Sequence, residues 1–276
     1  MICFPNIKIN LGLHVINRRT DGFHNIESVF YPVKFCDILE LVVDDTQPQG
    51  NFNFTSTGLA IDGMLEQNLV YKAYSLLTAD FTLPAVKVHL HKIIPMGAGL
   101  GGGSSNAAFM ITLLNQKFEL GLSNKQLKNY AAQLGSDCAF FIENKPLYLL
   151  GKGYELEPYS LSLNGYYIVL LYANLHSNTG LAYQHVMPRE ILQPEHSLKY
   201  VLQQPIENWR HTLENDFEPS VFKNFPVLAE LKQQLYASGA VYASMSGSGS
   251  SLFGLYKQKP QLDKKLRPFV CYEGEL

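Results

Sequence analysis

Apolar and polar residues alternate at the start of this chain. Ile7, Ile9 and Leu11 are separated by Asn6, Lys8 and Asn10, and this period of two predicts a strand with three polar side chains on one face. Residues 35–43 and 86–91 predict two further strands, and residues 65–78 predict a helix. Ser123 opens another helix with a capping box to Gln126. Its apolar face runs through Leu127, Tyr130, Ala131 and Leu134, and Gly135 ends it. Past Lys145-Pro146 the pattern changes: residues 166–171 form a continuous apolar strand, residues 179–235 are mainly helical and punctuated by proline, and residues 239–256 read as strand, glycine-serine loop and strand. The pattern predicts an α/β chain, β-rich and then α-rich in its first half. A soft boundary near residue 150 divides it into 1–150 and 151–276.

Pro95, Met96, Gly97, Ala98, Gly99, Leu100, Gly101, Gly102, Gly103, Ser104 and Ser105 lie between the strand at 86–91 and an apolar helix beginning near Asn106. Glycine lets a backbone turn sharply and approach a ligand closely. A helix that follows such a loop presents unpaired N–H groups and its positive dipole end to an anion. The plain alternative is a flexible linker, but linkers seldom join a buried strand to a buried helix. The loop is not a Walker A motif, because Ser104 rather than Lys follows Gly103. Gly97, Gly99 and Gly102 match the dinucleotide pattern by letter, yet no second strand ending in an acid follows at the required distance.

Composition narrows the choice of ligand. With a net charge of −2, the chain has no global field for nucleic acid or an anionic membrane, so an anion must be held by local donors. No apolar run approaches a membrane span, and the first residues lack a basic-then-apolar export signal. Cys3, Cys36, Cys138 and Cys271 lie far apart without zinc or redox spacing. These features predict a reduced, cytoplasmic protein without a metal site of its own.

Several side chains admit two readings. Asp137 follows a helix stop, where it serves either as an N-cap or as a carboxylate able to take a proton from a hydroxyl. Lys8 is either a solvated strand lysine or a fixed cation beside Asn6 and Asn10. His24, in the Asp21-Gly22-Phe23-His24 turn, reads first as an exposed turn residue. His89 and His91 share a strand face without a third ligand and read as surface histidines. The loop from Met245 to Ser251 is a hairpin turn or a second loop closing over one polyanion.

Taken in order, these segments resemble the GHMP kinase superfamily (galactose, homoserine, mevalonate and phosphomevalonate kinases). The segments are residues 6–11, 19–24, 95–108, 134–137, 215–218 and 245–249. The resemblance implies a two-lobed α/β (α+β) fold: an N-terminal lobe like ribosomal protein S5 domain 2 and a ferredoxin-like C-terminal lobe. It implies ATP, with Mg²⁺, as co-substrate and residues 95–105 as the phosphate loop. Lys8 and Asp137 then match the catalytic pair. The Lys8-x-Asn10-Leu11 start and the Arg19–His24 turn narrow the resemblance to members that phosphorylate the 2-hydroxyl of a cytidine diphosphate-linked methylerythritol. On that reading Phe23 and His24 hold the cytosine, while Asn10 and Thr179 line the substrate site. Phe23, Ala139 and Tyr154 stand where those members often have Tyr, Pro and Glu. Rival readings keep the fold but take homoserine or mevalonate as substrate, decarboxylate mevalonate diphosphate, or only sense a nucleotide.

Overall fold

A computed structural model describes residues 1–153, 155–177, 180, 182–183, 186–189 and 197–276. The first half runs β1 (Ile2–Cys3), β2 (Asn6–Arg18), β3 (His24–Cys36), β4 (Ile38–Val43), β5 (Phe52–Gly58), α1 (Leu69–Thr78), β6 (Val86–Lys92), α2 (Gly102–Lys117), α3 (Asn124–Leu134) and α4 (Cys138–Glu143). There follow β7 (Leu147–Leu150), β8 (Glu155–Pro158), β9 (Tyr167–Leu171), α5 (Leu198–Gln203), α6 (Trp209–Thr212), α7 (Glu218–Asn224), α8 (Pro226–Ala237), β10 (Tyr242–Met245), β11 (Leu252–Tyr256) and β12 (Val270–Glu275). They form two compact units. One comprises Met1–Lys8, Phe35–Met96 and Gly101–Lys145; the other comprises Ile9–Lys34, Gly97–Leu100 and Pro146–Leu276.

In the first unit the sheet order is β1-β4-β6-β5, antiparallel except for the parallel β5–β6 pair. Alternation along β6 sends Val86, Val88, Leu90 and Lys92 inward. There the apolar residues meet Val70, Ala73, Tyr74 and Leu77 of α1 and Met110, Ile111 and Leu114 of α2. The single strand expected over residues 35–43 is interrupted: β3 ends at Cys36, β4 begins at Ile38, and Asp37 between them turns its carboxylate into the core. The helix expected from residue 65 begins in earnest at Leu69. Asn68 caps it, its side chain accepting from the Val70 N–H at 2.9 Å.

The second unit holds the sheet β2-β3-β7-β8 and the antiparallel sheet β10-β11-β9-β12. All five residues of β9 are buried, which explains why its sequence is continuously apolar rather than alternating. The two units interleave along the chain rather than dividing at one point near residue 150. The cause is strand pairing: β3 joins β7 through Ser28–Leu149, Val29–Tyr148 and Phe30–Leu147, which draws residues 9–34 into the second unit.

The capping box of α3 is formed as its sequence predicts. The Gln126 N–H donates to Ser123 Oγ at 3.4 Å and the Ser123 N–H to Gln126 Oε1 at 3.0 Å. Ser123→Ala is therefore expected to lower stability by about 1 kcal/mol. Urea denaturation checks this, and an unchanged midpoint would mean that the box contributes nothing.

Candidate functional site

β2 carries the first candidate group, and it is not solvated. Asn6, Lys8 and Asn10 are all buried, so both faces of this part of the strand are covered. Within the first unit, Lys8 Nζ lies 3.5 Å from Asp137 Oδ2, with the lysine side chain 4% and the aspartate 29% exposed. Burial pushes the Lys8 amine below its ordinary value, against the opposing pull of Asp137. Asp137 does stand at the N-cap position of α4, yet its side chain makes no capping hydrogen bond. Its Oδ1 instead accepts from Ser136 Oγ at 3.3 Å. The pair thus sets a cation against a half-open carboxylate, an arrangement able to accept a proton and steady negative charge beside it.

Glycines dictate the loop that precedes α2. Gly97, Gly99 and Gly101 adopt φ of +63°, +78° and +72°, values that side-chain-bearing residues rarely take. Gly101 caps α2, and a β-carbon on it would press within 3.0 Å of the Phe141 ring and 3.3 Å of Lys8 Cγ. The start of α2 therefore sits directly against Lys8. Ser105 Oγ, in the first turns of α2, is buried and has no hydrogen-bond partner among the described residues.

In the second unit, residues 97–100 meet the loop between β10 and β11. Ser246 Oγ donates to the Gly99 carbonyl at 2.9 Å, and the Ser251 N–H donates to the Ala98 carbonyl at 3.1 Å. A β-carbon at Gly99 would collide with the Ser246 carbonyl. Buried Asn215 fixes the hairpin loop by donating to the carbonyls of Met245 and Gly247, each at 2.8 Å. Asn10 belongs to the same cluster. Its Nδ2 donates to Ser28 Oγ at 2.8 Å, and its Oδ1 lies 3.5 Å from where a Gly247 β-carbon would be. Asn10 and the two glycine loops are thus neighbours.

A separate group in the second unit forms around the turn at residues 19–23, closed by the Arg19 N–H donating to the Phe23 carbonyl at 2.8 Å. Phe23 is 59% exposed, and Lys152 Nζ stands 4.8 Å from its ring centroid while pairing with Asp21 at 2.6 Å. His24 is not an exposed turn residue. It is partly buried and stacks on Tyr183, with centroids 5.1 Å apart and planes 20° from parallel. Burial, helped by the nearby Arg18 charge, pushes its imidazole below the ordinary value. Lys152, Tyr183 and Ser246 escaped the sequence reading as partners, because each meets its neighbour only through the fold. Thr179 and Tyr154 lie outside the described residues. His89 and His91 bond to threonines: Thr55 Oγ1 at 2.8 Å from His89 Nδ1, and Thr57 Oγ1 at 2.9 Å from His91 Nδ1.

Comparison with known proteins places the chain in a family. Residues 68–145 match the GHMP kinases N terminal domain and residues 197–274 match GHMP kinases C terminal. A 4-diphosphocytidyl-2-C-methyl-D-erythritol kinase of Bacteroides fragilis (strain YCH46) is 48% identical over the whole of both chains. A crystal structure of 4-(cytidine 5'-diphospho)-2C-methyl-D-erythritol kinase aligns with a TM-score of 0.77 and 31% identity, covering 92% of this chain and 90% of that one. Homoserine kinase from Cytophaga hutchinsonii, at 18% identity and a TM-score of 0.62 over 92% of this chain and 86% of its own, shares the fold alone.

The buried Lys8 charge yields a stability prediction. Exchanging the pair together removes a desolvated cation and leaves no unpaired carboxylate behind. Lys8→Met/Asp137→Asn is expected to be neutral or up to about 2 kcal/mol more stable than the parent. Thermal melting reads this directly, and a loss of several degrees would show that the pair holds the fold together.

Proposed function

Since the chain belongs to the GHMP kinase family, we propose that it transfers the γ-phosphoryl group of ATP to the 2-hydroxyl of 4-diphosphocytidyl-2-C-methyl-D-erythritol. The products are the 2-phosphate and ADP. The observation that carries this reading is the 48% identity, over the full length of both chains, to a kinase named for that substrate.

The local geometry supports the same reaction. Asp137 takes the proton of the acceptor hydroxyl as its oxygen attacks the γ-phosphorus, and the bond from that phosphorus to the bridging oxygen of ADP breaks. Lys8, an ammonium 3.5 Å from the base, offsets negative charge on Asp137 and on the moving phosphoryl group. Residues 95–105 cradle the nucleotide phosphates with backbone N–H groups and the N-terminus of α2. The orphaned Ser105 hydroxyl is an oxygen that such a ligand would satisfy.

Mg²⁺ would enter with ATP and neutralise phosphate charge. Among the described residues no group of three or more His, Cys, Asp or Glu is placed to hold a metal. Phe23, with its ring exposed, provides a stacking platform for cytosine, a task that needs only the aromatic face. His24, with its pKa lowered towards the neutral form, offers one donor and one acceptor to the base. Asn10 and Thr179 complete the substrate contacts on this reading.

Phosphorus NMR of a reaction with Mg-ATP tests the assignment. A new phosphomonoester signal beside an intact cytidine diphosphate is expected, and absence of turnover would discard the substrate. Asp137→Asn should lower kcat by roughly 10²–10⁴-fold while ADP still binds, so near-parental turnover would remove its role as base. The Lys8 proton gives a pH signature. Because burial lowers its pKa, activity is expected to fall with rising pH before the ordinary lysine range is reached. In Lys8→Arg, whose guanidinium stays charged, the residual activity should lose that alkaline limb. A limb unmoved by the substitution would assign it to another group.

A further inference from the structure

A second buried ion pair lies in the first unit. Lys92, the last residue of β6, is 2% exposed and pairs with Asp37, which is wholly buried. Both Asp37 oxygens are fully used. Oδ1 accepts from the N–H groups of Ile93 at 2.8 Å and Ile94 at 2.9 Å; Oδ2 accepts from Asn106 Nδ2 at 2.9 Å and from Lys92 Nζ. The Asp37 N–H itself donates to the Pro5 carbonyl at 2.9 Å, which anchors the residue from behind. Ile93 and Ile94 lead into the glycine loop at Pro95, and Asn106 stands on α2, which leads out of it.

We propose that Asp37 is a positioning residue for the phosphate loop: one carboxylate clasps the strand before the loop and the helix after it, and Lys92 supplies the countercharge. This rests on the reading of residues 95–105 as the seat of the nucleotide phosphates. An amide at position 37 has a single acceptor oxygen and would set its own NH₂ against the Asn106 donor, so the four-donor clasp needs a carboxylate. A buried carboxylate in turn needs a cation. Buried pairs add little net stability over apolar packing of the same volume, so the gain lies in geometry. Gly102 shows how closely the helix is seated on the pair: a β-carbon there would lie 3.1 Å from Lys92 Nζ and 2.7 Å from Ile94 Cγ2. The link also orients Asn106, because its NH₂ is committed to Asp37 and its carbonyl oxygen must point elsewhere.

The test uses the full-length Asp37→Asn/Lys92→Met protein, which removes both charges together and leaves no unpaired ion. Calorimetry with ADP reports on the loop alone, and steady-state kinetics separate the two substrates. The expected result is a cooperative melt, with the ADP dissociation constant and KM for ATP raised about tenfold or more and KM for the alcohol substrate within about twofold of the parent. A folded double variant that binds ADP as the parent does would overturn the inference. If the double variant fails to fold, Asn106→Ala breaks a single arm of the clasp and should still weaken ADP binding several-fold; parental affinity there would overturn it equally. A parent that binds ADP but transfers no phosphate would defeat the kinase reading and leave this inference to the ADP measurements.

Discussion

A charge removed from water must be met by a partner at fixed distance, and this chain buries two lysines under that constraint. Lys8 meets Asp137 and Lys92 meets Asp37, both within the first unit. The two pairs differ in how much is left to do. Asp37 has every lone pair engaged and both partners sealed in the core, so the group is fixed. Asp137 keeps 29% of its side chain open to solvent, makes no cap to its own helix, and leans on a lysine that is itself enclosed. The saturated pair holds backbone in place, and the unsaturated one is left available for chemistry.

The glycine loop depends on backbone freedom in the same way. Left-handed φ at Gly97, Gly99 and Gly101 folds the chain back between β6 and α2. The space at Gly99 is then taken by the Ser246 carbonyl, and the Ser246 and Ser251 contacts stitch residues 97–100 to the β10–β11 loop. Neither loop has its conformation alone. Asn215 adds the third support, donating to two carbonyls of the hairpin loop from its buried amide.

Much of this was legible in sequence, for definite physical reasons. Period-two alternation, the Ser123–Gln126 box and the density of glycine at 97–103 are local signals, and local signals survive without tertiary context. The resemblance to GHMP kinases drew on the first strand and the glycine loop, together with residues 19–24, 134–137, 215–218 and 245–249. What stayed hidden depends on the fold. The depth of Lys8 was invisible, because alternation reports which face a side chain takes and not what covers that face. Asp37 and Lys92 are 55 residues apart; the first fell inside the strand expected over 35–43 and the second just beyond the one expected over 86–91, with nothing local to link them. Tyr183 beneath His24 and Ser246 against Gly99 have no signature before strands and loops are assembled. The break in the strand at Asp37 was missed because apolar residues flank it on both sides.

The interleaved units have a consequence for the order in which the chain leaves the ribosome. By Lys145 every residue of the first unit has been synthesised, including β1, β4, β5, β6 and α1 to α4. The β2–β3 hairpin emerges among the earliest segments, yet β3 lacks its second neighbour, β7, until Ser28 can meet Leu149. Residues 97–100 wait longer still, until the β10–β11 loop arrives near the end of translation. The first unit can therefore close around its buried ion pairs while the backbone that joins the two glycine loops remains unsupported. The glycine loop at 97–103 is made within the first half of the chain and is among the last segments to acquire its final shape.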